Sequence, residues 1–326
     1  MSIARNEGAG WQRNSVRSMA VLLPVLGLAA LAASKWPMID SSAGRLGSAD
    51  GRWMAVAGFA AVMTWVSSSI AQQGAVLESL PPCRLLATQF AASAANHLLP
   101  AGVGGNAVNL RFLIRRGLPP ARAVTALAVR ATAAVIGRLV LLAAVLLLFP
   151  GALHLSRLMP HRLALPAHPV LLAALAVTAF AGAVLLSSKY AGRARDRARS
   201  FLASMAHDVR ALHRDRARVA ALWGGSLAFP AAHAAVVVAV ARAVHASVPV
   251  SGVLVAYLFA STAAGWLPTP AGIGSLDAAL ALTLVTAGAS GVAATSAVLG
   301  YRLVTVWLPL VPGVMVLAVL VRRRQL

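Results

Sequence analysis

Charge is scarce in this chain, and negative charge is scarcest. Asp and Glu number 8 against 29 Lys and Arg, in 326 residues of which 11% are charged. A soluble globular domain carries about 25% charged residues, so that class is excluded. A disordered chain is excluded too, because it needs high charge and low hydrophobicity. The single cysteine, Cys83, rules out an internal disulfide and any multi-cysteine metal site. In so apolar a chain its thiol reads as inert packing. There is no Walker loop and no Gly-x-Ser-x-Gly elbow. No acidic cluster is available to hold a divalent metal, and the 8 histidines lack metal-ligand spacing. No cofactor and no metal are therefore expected.

What the chain has instead is apolar length. It is 59% hydrophobic, with mean hydropathy +0.78 and net charge +21. A basic balance often points to nucleic acid, but the polar surface here is too small for a soluble binder. The reading is a multi-pass membrane protein whose basic loops face anionic lipid headgroups. Nucleic acid is not expected as a partner.

A membrane-crossing helix needs about 20 apolar residues. Six such spans stand out, at about 18–34, 54–77, 122–148, 169–188, 219–243 and 291–320. The first, preceded by Arg13 and Arg17, resembles a signal peptide, but no soluble secreted sequence follows it. Two further stretches, about 85–115 and 250–289, are broken by proline and glycine. Their centres read Leu98-Leu99-Pro100-Ala101-Gly102-Val103-Gly104-Gly105 and Trp266-Leu267-Pro268-Thr269-Pro270-Ala271-Gly272-Ile273-Gly274. Proline cannot continue a helix and glycine disfavours one. Irregular backbone at membrane depth survives only where protein or water surrounds it. Each stretch is read as a re-entrant pair of half-helices.

The basic residues orient this all-α fold. With 1–17 cytoplasmic, the single membrane domain 18–321 places Arg111, Arg115, Arg116 and the basic loop 189–218 on one side, with the tail 322–326. That arrangement obeys the positive-inside rule and puts both termini in the cytoplasm of a cell-membrane protein. Part of the loop, with Phe201, Leu202, Met205, Val209 and Leu212, has the period of an amphipathic helix on an anionic leaflet. A plain basic connector explains it equally well.

In this topology the two broken stretches enter from opposite faces. They also match each other: Pro100, Gly102 and Gly104 align with Pro270, Gly272 and Gly274 at a constant offset of 170. Arg130 and Arg302 follow at an offset of 172. Opposed repeats with broken helices are the pattern of inverted-repeat transporters. The bland alternative is that Pro-Gly pairs are common between apolar helices.

The run Asn96-His97-Leu98-Leu99-Pro100-Ala101-Gly102-Val103-Gly104-Gly105 and the run Leu267-Pro268-Thr269-Pro270-Ala271-Gly272-Ile273-Gly274-Ser275-Leu276-Asp277 resemble the two motifs of the lysylphosphatidylglycerol synthase transmembrane-region family. The resemblance covers roughly residues 15–322. There are two departures. Ala271 stands where the family usually has glycine, and Asp277 where it usually has glutamate, a carboxylate shorter in reach by one methylene. The resemblance implies the lipid-handling half of that family: moving an aminoacylated phospholipid or another lipid-linked molecule between leaflets. The chain stops at Leu326, without the large soluble domain of aminoacylating members, so no synthase activity is expected. The competing expectation is an accessory subunit or scaffold for a separate lipid-modifying synthase or glycosyltransferase.

The candidate substrate-binding residues follow from charge at membrane depth. Asp277 is the one carboxylate within a membrane segment, and an ionisable residue there is costly and a functional candidate. It also sits where a helix N-terminus favours a carboxylate. Arg130, Arg138 and Arg302 lie in spans, and a guanidinium binds phosphate as a bidentate fork. The alternatives for Arg138 and Arg302 are snorkelling or an ion pair with Asp277. Asn96, Asn106 and Asn109 flank the first glycine loop, where their amides can bond a headgroup or satisfy freed backbone. Pro100, Gly102, Gly104 and Gly105, with Pro270, Gly272 and Gly274, shape loops whose exposed N–H groups can cradle a phosphate. Ala293, Ala297 and Gly300 form a small-residue face that packs against another helix.

Overall fold

The computed structural model describes residues 42, 44–98, 103–149, 203, 210–212, 214–264, 274–323 and 325–326. The expected spans 18–34 and 169–188, most of the basic loop, and the centres of both Pro-Gly stretches lie outside the described residues. So do Pro100, Gly102, Pro270 and Gly272.

Among the described residues the fold is all-helical. The helices are α1 (Gly51–Gly74), α2 (Pro82–Leu98), α3 (Gly104–Arg115), α4 (Pro120–Leu148), α5 (Arg216–Ala243), α6 (Val250–Ala264), α7 (Ser275–Thr286), α8 (Gly291–Arg302) and α9 (Leu308–Arg322). A π-helical turn, Leu303–Trp307, joins α8 to α9 in one rod of 32 residues. α1, α4, α5 and this rod are long and apolar enough to cross a membrane. They match the expected spans 54–77, 122–148, 219–243 and 291–320, although α1 starts three residues earlier. The reason is local: Asp50 caps the helix by accepting the Arg52 N–H at 2.8 Å, so polar Gly51 and Arg52 form its first turn.

Each broken stretch is a pair of short helices, α2–α3 and α6–α7. A helix of 12 residues, such as α3 or α7, spans about 18 Å against a hydrocarbon core of about 30 Å. None of the four reaches across alone. The same order of elements occurs twice: a long helix, a short pair, then a long helix. The starts of corresponding helices are 165 to 171 residues apart.

The first long helices of the two sets, α1 and α5, pack antiparallel. The Asp50 N–H donates to the Ala243 carbonyl at 3.0 Å at one end. At the other end Gly74 lies against Leu222, so closely that an added Cβ would be 2.2 Å from the Leu222 nitrogen. Gly225 meets Ala71 and Ser67 in the same way. Small residues set this spacing, as expected where close backbone packing holds helices together. Pro230 inside α5 has no N–H for the Ser226 carbonyl. Gly137 of α4 packs against that carbonyl, where a Cβ would stand 2.9 Å away. The small-residue face of α8 packs as well: Ala293 and Ala297 are buried, and Gly300 abuts Val240 of α5.

The π-turn has a similar cause. Pro309 and Pro312 cannot donate to the preceding turn. The Leu308 N–H instead reaches the Leu303 carbonyl, five residues back.

The outer surface is apolar. Phe59, Leu147, Leu148, Leu308, Val311 and Met315 are all more than 60% exposed. In a bilayer, lipid is the solvent for such side chains. Cys83 is exposed on the first turn of α2, so it is not the packing residue expected from the sequence.

Candidate functional site

A cavity of about 460 Å³ opens among α1, α2, α3, α4, α5 and the π-turn. Its size falls within the usual range for small-ligand sites. Arg130 and Arg138 both line it, since a separation of 8 residues places them on similar sides of α4. Asn96, Asn106, Asn109 and Gly105 line it too. Six of the residues singled out in the sequence therefore meet in one place.

Several further lining groups gave no strong signal in the sequence. Ser68, Gln89, His233 and Thr305 are polar residues within apolar stretches, and Trp65 and Phe229 are aromatic. The only mark of the polar ones was polarity at membrane depth, which in hydrocarbon demands a partner.

A continuous chain of hydrogen bonds forms one wall. Arg130 donates through Nη1 to Gln72 Oε1 at 3.0 Å and through Nη2 to Ser68 Oγ. The Ser68 hydroxyl donates to Gln89 Oε1 at 2.9 Å. Gln89 Nε2 donates to Asn109 Oδ1 at 2.6 Å. Asn109 Nδ2 donates to the Gly105 carbonyl at 2.8 Å, and the Gly105 N–H donates to Asn96 Oδ1 at 2.8 Å. The chain ties α1, α4, α2 and α3 together through groups that are largely buried. Such a network fixes side-chain orientation when its members are satisfied.

This wall assigns Gly104 and Gly105. The Gly105 N–H is occupied by Asn96 rather than open to a ligand. Gly104 is buried against α2, where a Cβ would stand 2.0 Å from the Ala95 carbonyl oxygen. Both glycines allow α3 to approach α2 closely.

Arg138 is less occupied. Nη1 donates to the Ser261 carbonyl at 3.3 Å, while Nε is buried with no hydrogen-bond partner among the described residues. A buried unsatisfied donor is costly. It is also available to a ligand that brings an acceptor.

Asp277 and Arg302 stand apart from the cavity lining. Arg302 Nε donates to Asp277 Oδ1 at 2.6 Å, and the Arg302 side chain is 9% exposed. Asp277 Oδ2 accepts the Gly274 N–H at 3.1 Å, which satisfies a backbone donor at the start of α7. Gly274 has φ +95°, a conformation that suits glycine. Asp277 thus caps a helix and pairs with an arginine at once. Next to Arg302, the Tyr301 hydroxyl lies 3.0 Å from Nδ1 of His233, which lines the cavity. The two regions therefore adjoin through Tyr301 and His233.

Chemically, the cavity offers two fixed positive charges, several amides and two aromatic surfaces. Among the described lining residues there is no carboxylate. Such a site attracts an anion and orients it through amide hydrogen bonds.

The family model described as the lysylphosphatidylglycerol synthase TM region matches residues 14–313. No curated protein matches the chain.

Proposed function

The chain belongs to the lysylphosphatidylglycerol synthase transmembrane-region family, and from that premise we propose that it binds an anionic or aminoacylated phospholipid, or another lipid-linked molecule, and moves it between leaflets. The observation that carries this reading is the cavity holding Arg130 and Arg138 within an apolar helical bundle. A headgroup crossing hydrocarbon needs its charge compensated at membrane depth, and two guanidiniums there supply it.

The recurrence of a long helix, a short pair and a long helix supports an inverted repeat, as does the antiparallel packing of α1 on α5. In such transporters the binding site lies near the midplane and access alternates between the faces. In this scheme the π-turn, followed by Pro309 and Pro312 in α9, is where the rod bends, beside the cavity at Thr305. Asp277 holds Arg302 and fixes the start of α7. The chain works as a carrier rather than a catalyst, in the cell membrane with both termini cytoplasmic, and a separate synthase supplies its lipid.

The test is leaflet-resolved lipid analysis of cells with and without the protein. The expected result is a changed sidedness of at least one anionic or lipid-linked species. Unchanged sidedness of every lipid contradicts the proposal.

A further inference from the structure

The cavity also specifies which headgroups it takes. We infer that it selects an anionic, hydroxyl-rich headgroup, a phosphate bearing a sugar or polyol, and rejects headgroups bearing an ammonium group. This inference rests on the reading of the cavity as a substrate site.

The charge argument comes first. Arg130 and Arg138 both face the cavity. The carboxylates that might offset them are engaged elsewhere among the described residues. Asp50 and Asp215 cap α1 and α5, and Glu78 is exposed in the segment after α1. Asp277 spends one oxygen on Arg302 and the other on the Gly274 N–H. Among the described residues an ammonium entering the cavity therefore meets two like charges and no counter-ion, in surroundings of low dielectric where repulsion is strong. A phosphate meets the unpartnered Nε of Arg138 and the remaining donors of Arg130.

The remaining polar groups decide what the phosphate carries. Arg130 spends one Nη1 proton on Gln72 and one Nη2 proton on Ser68. Asn96 uses its oxygen on Gly105, which leaves its NH2 group to donate. Asn106 is exposed to the cavity and Ser93 lines it. Together they supply donors and acceptors that hydroxyl groups match and a bare phosphate does not. Trp65 and Phe229 add apolar faces to the lining, of the kind that the C–H face of a sugar ring can cover. A site built to bond hydroxyls rejects analogues lacking them, because its own polar groups are then left unpaired.

The same chemistry is available from a lipid or from a soluble polyol phosphate, so the experiment includes both. Binding to the purified full-length protein is measured for four short-chain lipids with identical tails: phosphatidylinositol, phosphatidylglycerol, phosphatidic acid and lysyl-phosphatidylglycerol. Inositol phosphate and glycerol phosphate form the soluble arm.

Phosphatidylinositol and phosphatidylglycerol are expected to bind most tightly, with lysyl-phosphatidylglycerol at least about tenfold weaker than phosphatidylglycerol and phosphatidic acid about tenfold weaker than phosphatidylinositol. Asn106→Ala combined with Ser93→Ala narrows the preference for phosphatidylinositol over phosphatidic acid, with an unchanged melting temperature as the check on folding. Equal binding of lysyl-phosphatidylglycerol and phosphatidylglycerol overturns the inference and leaves the transport reading standing. Equal binding of phosphatidic acid and phosphatidylinositol overturns the hydroxyl selection. Binding of the soluble phosphates without the lipids overturns the lipid-transport reading while keeping the headgroup chemistry. Binding of none overturns both.

Discussion

Arg302 and Asp277, 25 residues apart in sequence, meet with Nε 2.6 Å from Oδ1. The pair joins the end of α8 to the start of α7. Removing the Asp277 charge takes a short charge-assisted hydrogen bond from a side chain that is 9% exposed.

Asp277→Asn is therefore expected to destabilise the protein. Asp277 is about a quarter exposed, so the loss falls between the buried and surface limits, at roughly 2 kcal/mol. Asp277→Glu keeps the charge and retains most of the stability. Thermal unfolding in detergent checks both. Equal destabilisation by Asn and Glu indicates that the short side chain matters and the charge does not.

Gly225 and Gly104 lie at close helix contacts. A Cβ at Gly225 would be 2.5 Å from the Ala71 nitrogen, and at Gly104 2.0 Å from the Ala95 oxygen. Either alanine substitution must push backbone apart, at a cost of about 1–3 kcal/mol or more. Gly58, in the interior of α1, has open space around it, and Gly58→Ala is expected to stabilise by up to about 1 kcal/mol. Melting temperatures of the three variants decide this. Similar shifts for all three contradict the packing account.

The hydrogen-bond chain makes a separate prediction. Gln89→Leu strands the Ser68 hydroxyl and Asn109, both largely buried, and costs about 1–3 kcal/mol. It also releases Ser68, which holds Arg130. Unfolding by heat, read by tryptophan fluorescence, measures the first effect. A loss below about 0.5 kcal/mol would mean that water replaces Gln89.

The sequence made the four long helices and both broken stretches legible, because apolar run length and Pro-Gly breaks are local properties. It pointed to Arg130 and Arg138 by charge at membrane depth, and to Asn96, Asn106 and Asn109 by their place beside the first glycine loop. It did not show that Gln72, Ser68 and Gln89 join them. That depends on α1 and α2 being brought against α4, and nothing in one run of residues records the rotation of a helix about its axis. Gly104 and Gly105 illustrate the same limit. Glycine-rich spacing suits a phosphate cradle and a close helix contact equally, and only the position of Ala95 and Asn96 separates the two.

Arg138 is the residue whose loss should separate binding from folding. Its Nε is unpartnered among the described residues, and its one hydrogen bond, to Ser261, is long at 3.3 Å. Arg138→Gln is expected to weaken binding of an anionic lipid about tenfold or more while leaving stability nearly unchanged. Arg130→Gln should weaken binding and stability together, since Arg130 also holds Gln72 and Ser68. Lipid titrations paired with melting curves distinguish these outcomes. Loss of stability without loss of binding in Arg138→Gln contradicts the assignment.

The most direct measurement is transbilayer movement in vesicles reconstituted with the purified protein. A fluorescent anionic phospholipid is placed in one leaflet, and its arrival in the other is followed by a quencher that cannot cross. The account predicts movement faster than in protein-free vesicles, reduced about tenfold or more by Arg138→Gln in a protein that remains folded. Movement at the protein-free rate, or an Arg138→Gln variant as fast as the unmodified protein, would contradict it.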